Sequence, residues 1–65
     1  MKRYFSSLSK LRKKKNLTQE QLAKMLGVTR TTVTLWERGT NKPRLEMIEK
    51  LTKIFNCPID KLLYG

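Results

Sequence analysis

The stretch TRTTVTLWERG, residues 29–39, carries the side chains of this chain that are best suited to contact another molecule. Four of its first six residues are threonine, which loses rotamer freedom in a helix, so Glu, Lys or Ala would serve an indifferent solvent face better. On a helical wheel centred on Val33, with about 100° per residue, the far side collects short side chains, a leucine and a guanidinium. These residues are Thr31, Thr34, Leu35 and Arg38. This composition indicates a contact surface.

Two kinds of site could receive such a helix. In the DNA major groove, threonine methyls and leucine can meet the thymine methyl, and arginine can bind guanine through two hydrogen bonds. In a protein partner, Leu35 would be the anchor in an apolar pocket. The surrounding charge favours DNA, because Arg30 and Arg38 flank the face and Lys42 and Arg44 follow it.

The charge of the whole chain also points to a polyanionic partner. Fifteen Lys and Arg stand against five Asp and Glu, which gives a net charge of +10 at pH 7. This excess is larger than solubility requires, although a solvated basic surface is the plainer alternative.

The composition argues against catalysis and metal binding. Histidine is absent, the acids are scattered singly, and no glycine-rich phosphate loop or activated nucleophile is present. The single cysteine, Cys57, can form neither an internal disulfide nor a Cys/His zinc site. We therefore expect no catalytic residue, metal, cofactor or small-molecule ligand. Without a signal peptide or a long apolar run, we expect a cytoplasmic protein without membrane attachment.

The elements that position this face are five short helices. A chain of 65 residues has room for one domain, 1–65, with one core. Turn residues divide it at Asn16, Gly27, residues 39–43 and residues 56–58, and no segment has a strand pattern. We therefore predict an all-α compact bundle of five helices.

The first three predicted helices have clear ends. The first covers roughly 6–15; the second begins with a capping box of Thr18 and Gln21 and ends at Gly27, and Thr29 caps the third. The residues predicted to face the core are Leu8, Leu11, Leu22, Met25, Leu26, Val33 and Trp36.

The last two helices follow prolines. The fourth is predicted from near Pro43 to a left-handed cap at Asn56, and the fifth starts at Pro58. Their inward residues are predicted to be Leu45, Ile48, Leu51, Phe55, Ile59, Leu62 and Leu63.

Glu37 needs a positively charged partner. It lies about 40° from Val33 on the wheel, close to the core, where an unpaired carboxylate is costly. Arg12, at the edge of the apolar stripe of the first helix, can supply the charge. We predict a structural ion pair that ties the first helix to the third.

Residues 11–63, LRKKKNLTQEQLAKMLGVTRTTVTLWERGTNKPRLEMIEKLTKIFNCPIDKLL, resemble the phage-repressor or Cro-like helix-turn-helix family, also called the XRE family. The resemblance implies the lambda repressor-like fold, with residues 18–26 and 29–38 as the helix-turn-helix and the second helix in the major groove. It further implies a transcriptional regulator that binds double-stranded DNA, a repressor acting as a homodimer on an inverted-repeat operator.

The resemblance assigns a role to each site residue. Gln19 matches a position that contacts a phosphate and supports the recognition helix, and Arg12 and Glu37 match the family's buried ion pair. Cys57 stands where an aliphatic core residue is usual, so we expect a buried apolar group and no redox switch. The base-contacting residues are Arg30, Thr31, Thr34 and Leu35. The residues assigned to the DNA backbone are Gln19, Thr29, Arg38, Thr40, Asn41 and Lys42.

Three further expectations concern assembly and alternatives. Residues 1–5 extend beyond the resemblance and would form a flexible basic arm. The alternative function is a protein-interaction or antitoxin-like module of the same fold, in which DNA binding is secondary; a membrane-surface helix is disfavoured because caps divide the chain. The candidate dimer interface is Phe55, Ile59, Leu63 and Tyr64.

Overall fold

Five helices account for most of residues 7–64, the part of the chain that the structure, a computed structural model, describes. Side chains are described as far as Leu62, and the predicted basic arm at residues 1–5 lies outside the described residues. No strand occurs in residues 7–64, so the predicted all-α bundle is confirmed. No helix in this range is long and apolar enough to cross a membrane. The helices are α1 (Leu8–Lys14), α2 (Gln19–Leu26), α3 (Arg30–Arg38), α4 (Leu45–Phe55) and α5 (Ile59–Tyr64).

Each of the first four helices is followed, within two residues, by a residue in the left-handed region. The φ angles are 57° at Asn16, 75° at Gly27, 77° at Gly39 and 50° at Asn56. Glycine adopts this conformation without a Cβ clash, and asparagine is among the few other residues that tolerate it. After each of these residues, the next backbone N–H donates to the carbonyl five residues earlier, at 3.0–3.2 Å. These bonds satisfy carbonyls that the helix leaves unpaired, and they confirm the predicted division of the chain.

Threonine hydroxyls fix the starts of α2 and α3. Thr18 Oγ1 accepts from the backbone N–H of Gln21 at 3.0 Å, and Gln21 Oε1 accepts from the backbone N–H of Thr18 at 2.8 Å, so the capping box is confirmed. Thr29 Oγ1 accepts from the backbone N–H of Thr32 at 3.2 Å. Because Gly27 closes α2 and Thr29 opens α3, local bonds fix both ends of this turn.

The core lies between all five helices. Its fully buried members include one residue from each helix: Leu8, Leu22, Val33, Leu51 and Leu62. Ala23, Leu26, Trp36 and Phe55 complete it. Cys57 packs against the core as predicted but is half-buried and not fully buried.

Three residues predicted to face the core are exposed, so those predictions were wrong. The exposed fractions are 54% for Met25, 66% for Leu45 and 39% for Ile59. Leu45 and Ile59 are the first residues of their helices, where no preceding helical turn covers the side chain. On α2 the buried face turns toward Ala23, which takes the place predicted for Met25. The side chain of Leu63 lies outside the described residues.

Candidate nucleic-acid interface

A buried ion pair connects α1 to α3. Arg12 Nε donates to Glu37 Oε2 at 2.7 Å, and Arg12 Nη2 donates to Glu37 Oε1 at 3.2 Å. Arg12 Nη1 donates to the carbonyl of Leu17 at 2.8 Å, which adds the α1–α2 turn to the same group. The two side chains are only 10% and 9% exposed. The fork of the guanidinium thus meets both carboxylate oxygens, the geometry that makes such a pair stable.

Gln19 extends this pair to the middle of α3. Its Nε2 donates to Glu37 Oε1 at 3.1 Å, and its Oε1 accepts from the Thr34 hydroxyl at 3.0 Å. We call Arg12, Gln19, Thr34 and Glu37 the α3 support network. Among the described residues, no buried side-chain nitrogen or oxygen lacks a hydrogen-bond partner. A satisfied network of this kind fixes the rotation of α3 about its own axis relative to α1 and α2.

The network changes what Thr34 can offer to a partner. Its hydroxyl hydrogen is directed to Gln19 Oε1, with the carbonyl of Arg30 as a second acceptor at 3.1 Å. Thr34 is half-buried, and a hydroxyl oxygen that donates its hydrogen keeps lone pairs that can still accept. Leu35 is half-buried as well, so the apolar anchor of the protein-docking alternative is only partly exposed.

The amino-terminal part of α3 is open to solvent. Arg30 and Thr31 are exposed and lie in its first turn. Arg30 lines a shallow depression of about 600 Å³ together with Gln19 and the start of α2. Thr29 is also exposed, although its hydroxyl already serves the cap and lies 2.9 Å from the hydroxyl of Thr32.

The loop after α3 contains the other predicted backbone contacts. Thr40, Asn41 and Lys42 are exposed, as is Arg38 at the end of α3. The backbone N–H groups of Thr40 and Asn41 donate to the carbonyl of Leu35 at 3.0 and 3.4 Å, which anchors the start of this loop on α3.

Several residues that line the depression beside Arg30 were not assigned to the site by the sequence reasoning. Lys13 and Asn16 line it from α1 and the following turn, and Glu20 lines it from α2. A signal was available, because Arg12 was already predicted to contact α3 and Lys13 is its neighbour, about 100° further around the helix. The depression thus carries charges of both signs, with Lys13 and Arg30 on its lining together with Glu20.

Part of the predicted dimer interface is buried in the core of the monomer. Phe55 is 7% exposed and belongs to the core, whereas Ile59 is exposed on α5. The side chains of Leu63 and Tyr64 lie outside the described residues. Of the described part of this interface, Ile59 is the residue that offers an apolar side chain at the surface.

Comparison with known proteins agrees with this arrangement. The helix-turn-helix family matches residues 8–62. The chain is 48% identical over 58 residues to the HTH-type transcriptional activator BcrR of Enterococcus faecalis, covering 89% of this chain and 28% of that protein. It is 38% identical over 60 residues to the cryptic phage CTXphi transcriptional repressor RstR of Vibrio cholerae, covering 92% of this chain and 54% of that protein. The chain thus spans between a quarter and about half the length of these relatives.

A solved structure extends the match to three dimensions. The P22 c2 repressor protein in complex with a synthetic operator superposes with a TM-score of 0.86 at 32% identity, over 97% of this chain and 96% of that chain. The chain belongs to the phage-repressor or Cro-like (XRE) family of helix-turn-helix proteins.

Proposed function

We propose that this chain is a sequence-specific regulator of transcription that binds double-stranded DNA with α3 in the major groove. It acts in the cytoplasm, mainly as a repressor, and binds an inverted-repeat operator as a homodimer. The observation that carries the proposal is the contrast on α3. The α3 support network holds one side of the helix in place, whereas Arg30 and Thr31 remain exposed next to it. A rigid element with exposed hydrogen-bonding groups is suited to reading a fixed pattern of donors and acceptors.

The exposed groups divide into base and backbone contacts. Arg30 would bind guanine O6 and N7, and Thr31 would meet a base edge through its hydroxyl or methyl group. Because the Thr34 hydroxyl donates to Gln19, Thr34 and Leu35 would contribute apolar contacts to thymine methyl groups. Phosphate contacts orient the protein without reading sequence. They are proposed for Gln19, Thr29, Arg38, Thr40, Asn41 and Lys42.

The size of the module supports a homodimer, and the similar proteins support DNA binding and regulation. One module contacts few base pairs, and two-fold dimers of this kind bind half-sites about 34 Å apart. The operator complex of the similar P22 repressor supports a DNA-binding role. The related proteins include an activator and a repressor by name, so the position of the operator relative to the promoter would decide the sign of the effect.

Selection from a random pool of DNA duplexes tests this function. The selection is done at about 150 mM salt, because phosphate contacts alone weaken steeply as salt rises. Enrichment of an inverted repeat is the expected result. Binding that enriches no sequence and disappears with added salt would contradict the proposal. The protein-interaction alternative would then be tested by capture from a nuclease-treated lysate.

A further inference from the structure

A second surface with strong positive charge lies between α1 and α5. It consists of two adjoining depressions of about 320 Å³ each, which share Leu11, Lys14 and Lys61. We call this surface the α1–α5 groove. It has no lining residue in common with the depression beside Arg30. Ser7 Oγ donates to the carbonyl of Lys61 at 2.7 Å, which joins the start of α1 to α5 and holds the two walls together.

The rim of the groove is cationic. Four exposed lysines line it, and among the described residues that line it none carries a carboxylate. Like charges gathered at one place repel one another and create a local positive potential that attracts anions. The four residues are Lys10, Lys14, Lys15 and Lys61.

The floor of the groove is apolar. Phe55 belongs to the core, and Leu11 and Cys57 pack against it, with Pro58 beside them. A DNA backbone offers phosphates and sugars to the rim but no apolar group for such a floor. If a second copy of this chain docked here about a two-fold axis, the rim lysines of the two copies would face each other and repel. An apolar centre surrounded by charge is the usual composition of a protein-docking site.

We propose that the α1–α5 groove docks an acidic segment of another protein. An apolar side chain of this segment lies on the floor, and carboxylates on either side of it face the lysines. The surface is separate from the exposed turn of α3, so the chain can bind DNA and an acidic partner together. This role is additional to DNA recognition and does not depend on it.

The probe is a short synthetic peptide with one central phenylalanine flanked by aspartates. It is titrated into the full ¹⁵N-labelled chain at about 50 mM salt, where surface charges are only partly screened. The backbone amide signals at the end of α1 and around Cys57 and Pro58 are expected to shift. A control peptide with serine in place of phenylalanine is expected to bind several-fold more weakly, since it leaves the floor uncovered.

Two matched pairs of substitutions locate the binding. Lys14→Gln with Lys61→Gln is expected to weaken the peptide about three- to tenfold, because two rim charges are lost. Lys24→Gln with Lys50→Gln removes the same charge from exposed positions on α2 and α4 and is expected to leave the affinity within about twofold. Thermal melting curves verify that both variants remain folded.

Several results would overturn the proposal. If both variant pairs weakened peptide binding equally, the binding would be general charge attraction and not specific to the groove. If no amide signal of the groove shifted, the groove would not bind acidic peptides of this kind. If a short DNA duplex shifted the groove signals while the peptide did not, the groove would be a nucleic-acid contact. None of these results depends on whether α3 reads bases.

Discussion

The two ends of α3 use polar side chains in opposite ways. Toward the carboxyl-terminal end, Glu37 accepts three hydrogen bonds and lies almost wholly out of solvent. At the amino-terminal end, Arg30 and Thr31 are exposed in the first turn. One short helix can thus be held by polar contacts at one end and leave polar groups at the other end for a partner. Substitutions at the two ends should therefore affect different measurements.

The greatest loss of stability is expected from a substitution in the α3 support network. Glu37→Ala leaves the Arg12 guanidinium buried without its carboxylate and removes an acceptor from Gln19. We expect the free energy of unfolding to fall by about 3 kcal/mol, measured by urea denaturation. The control is the double variant Arg12→Met with Glu37→Leu, which buries no uncompensated charge and should recover most of the loss. Unchanged stability in Glu37→Ala would show that the network does not hold α3.

The next effect is on DNA recognition by the exposed first turn of α3. Arg30→Ala should leave the melting temperature nearly unchanged and lower the discrimination between operator and unrelated duplex by about 1–3 kcal/mol. Fluorescence anisotropy with both duplexes measures this quantity. Lys42→Ala is the comparison, since loss of a phosphate contact should weaken all sequences alike and reduce the salt slope by about one. If both variants lost specific and non-specific affinity equally, the assignment of roles would be wrong.

A smaller effect is expected at the start of α2. Thr18→Ala removes the hydroxyl that accepts from the backbone N–H of Gln21, at a cost of about 1 kcal/mol in unfolding free energy. Thr18→Ser keeps the acceptor and should stay close to the original chain in thermal melting. A serine variant as unstable as the alanine variant would mean that packing of the threonine methyl, and not the cap, stabilises this end.

The smallest expected change in the free energy of unfolding is an increase. Thr31 is exposed on α3, so Thr31→Ala should raise the free energy of unfolding by about 0.3 kcal/mol through better helix propensity. The same substitution should lower selectivity for the operator. Thermal melting and anisotropy are measured on the same preparation. A loss of stability without a loss of selectivity would make Thr31 a structural residue.

Features that depend on neighbouring residues were predictable from the sequence. The capping box at Thr18 and the left-handed ends at Gly27 and Asn56 involve residues within a few positions of one another, so residue type and spacing suffice.

The partner of Glu37 was also predictable, although it lies 25 positions away in the chain. A carboxylate near the core requires a cation, and the resemblance indicated the same arginine.

Features that depend on how the helices pack were not predictable. Apolar spacing locates the face of a helix but not which edge its neighbours cover, and Met25 was predicted as buried for this reason although it is 54% exposed. The direction of the Thr34 hydroxyl toward Gln19 depends on the crossing of α2 and α3. The α1–α5 groove brings together lysines that are about 50 residues apart in the chain, so no local pattern shows it.

Methylation interference on the selected operator shows whether α3 reads base edges in the major groove. Dimethyl sulfate methylates guanine N7 in the major groove and adenine N3 in the minor groove, so it reports which groove the protein reads. We predict interference at major-groove positions in two half-sites about 34 Å apart, and none from the minor groove within those half-sites. Interference confined to the minor groove, or none at any base, would contradict the claim that α3 reads base edges.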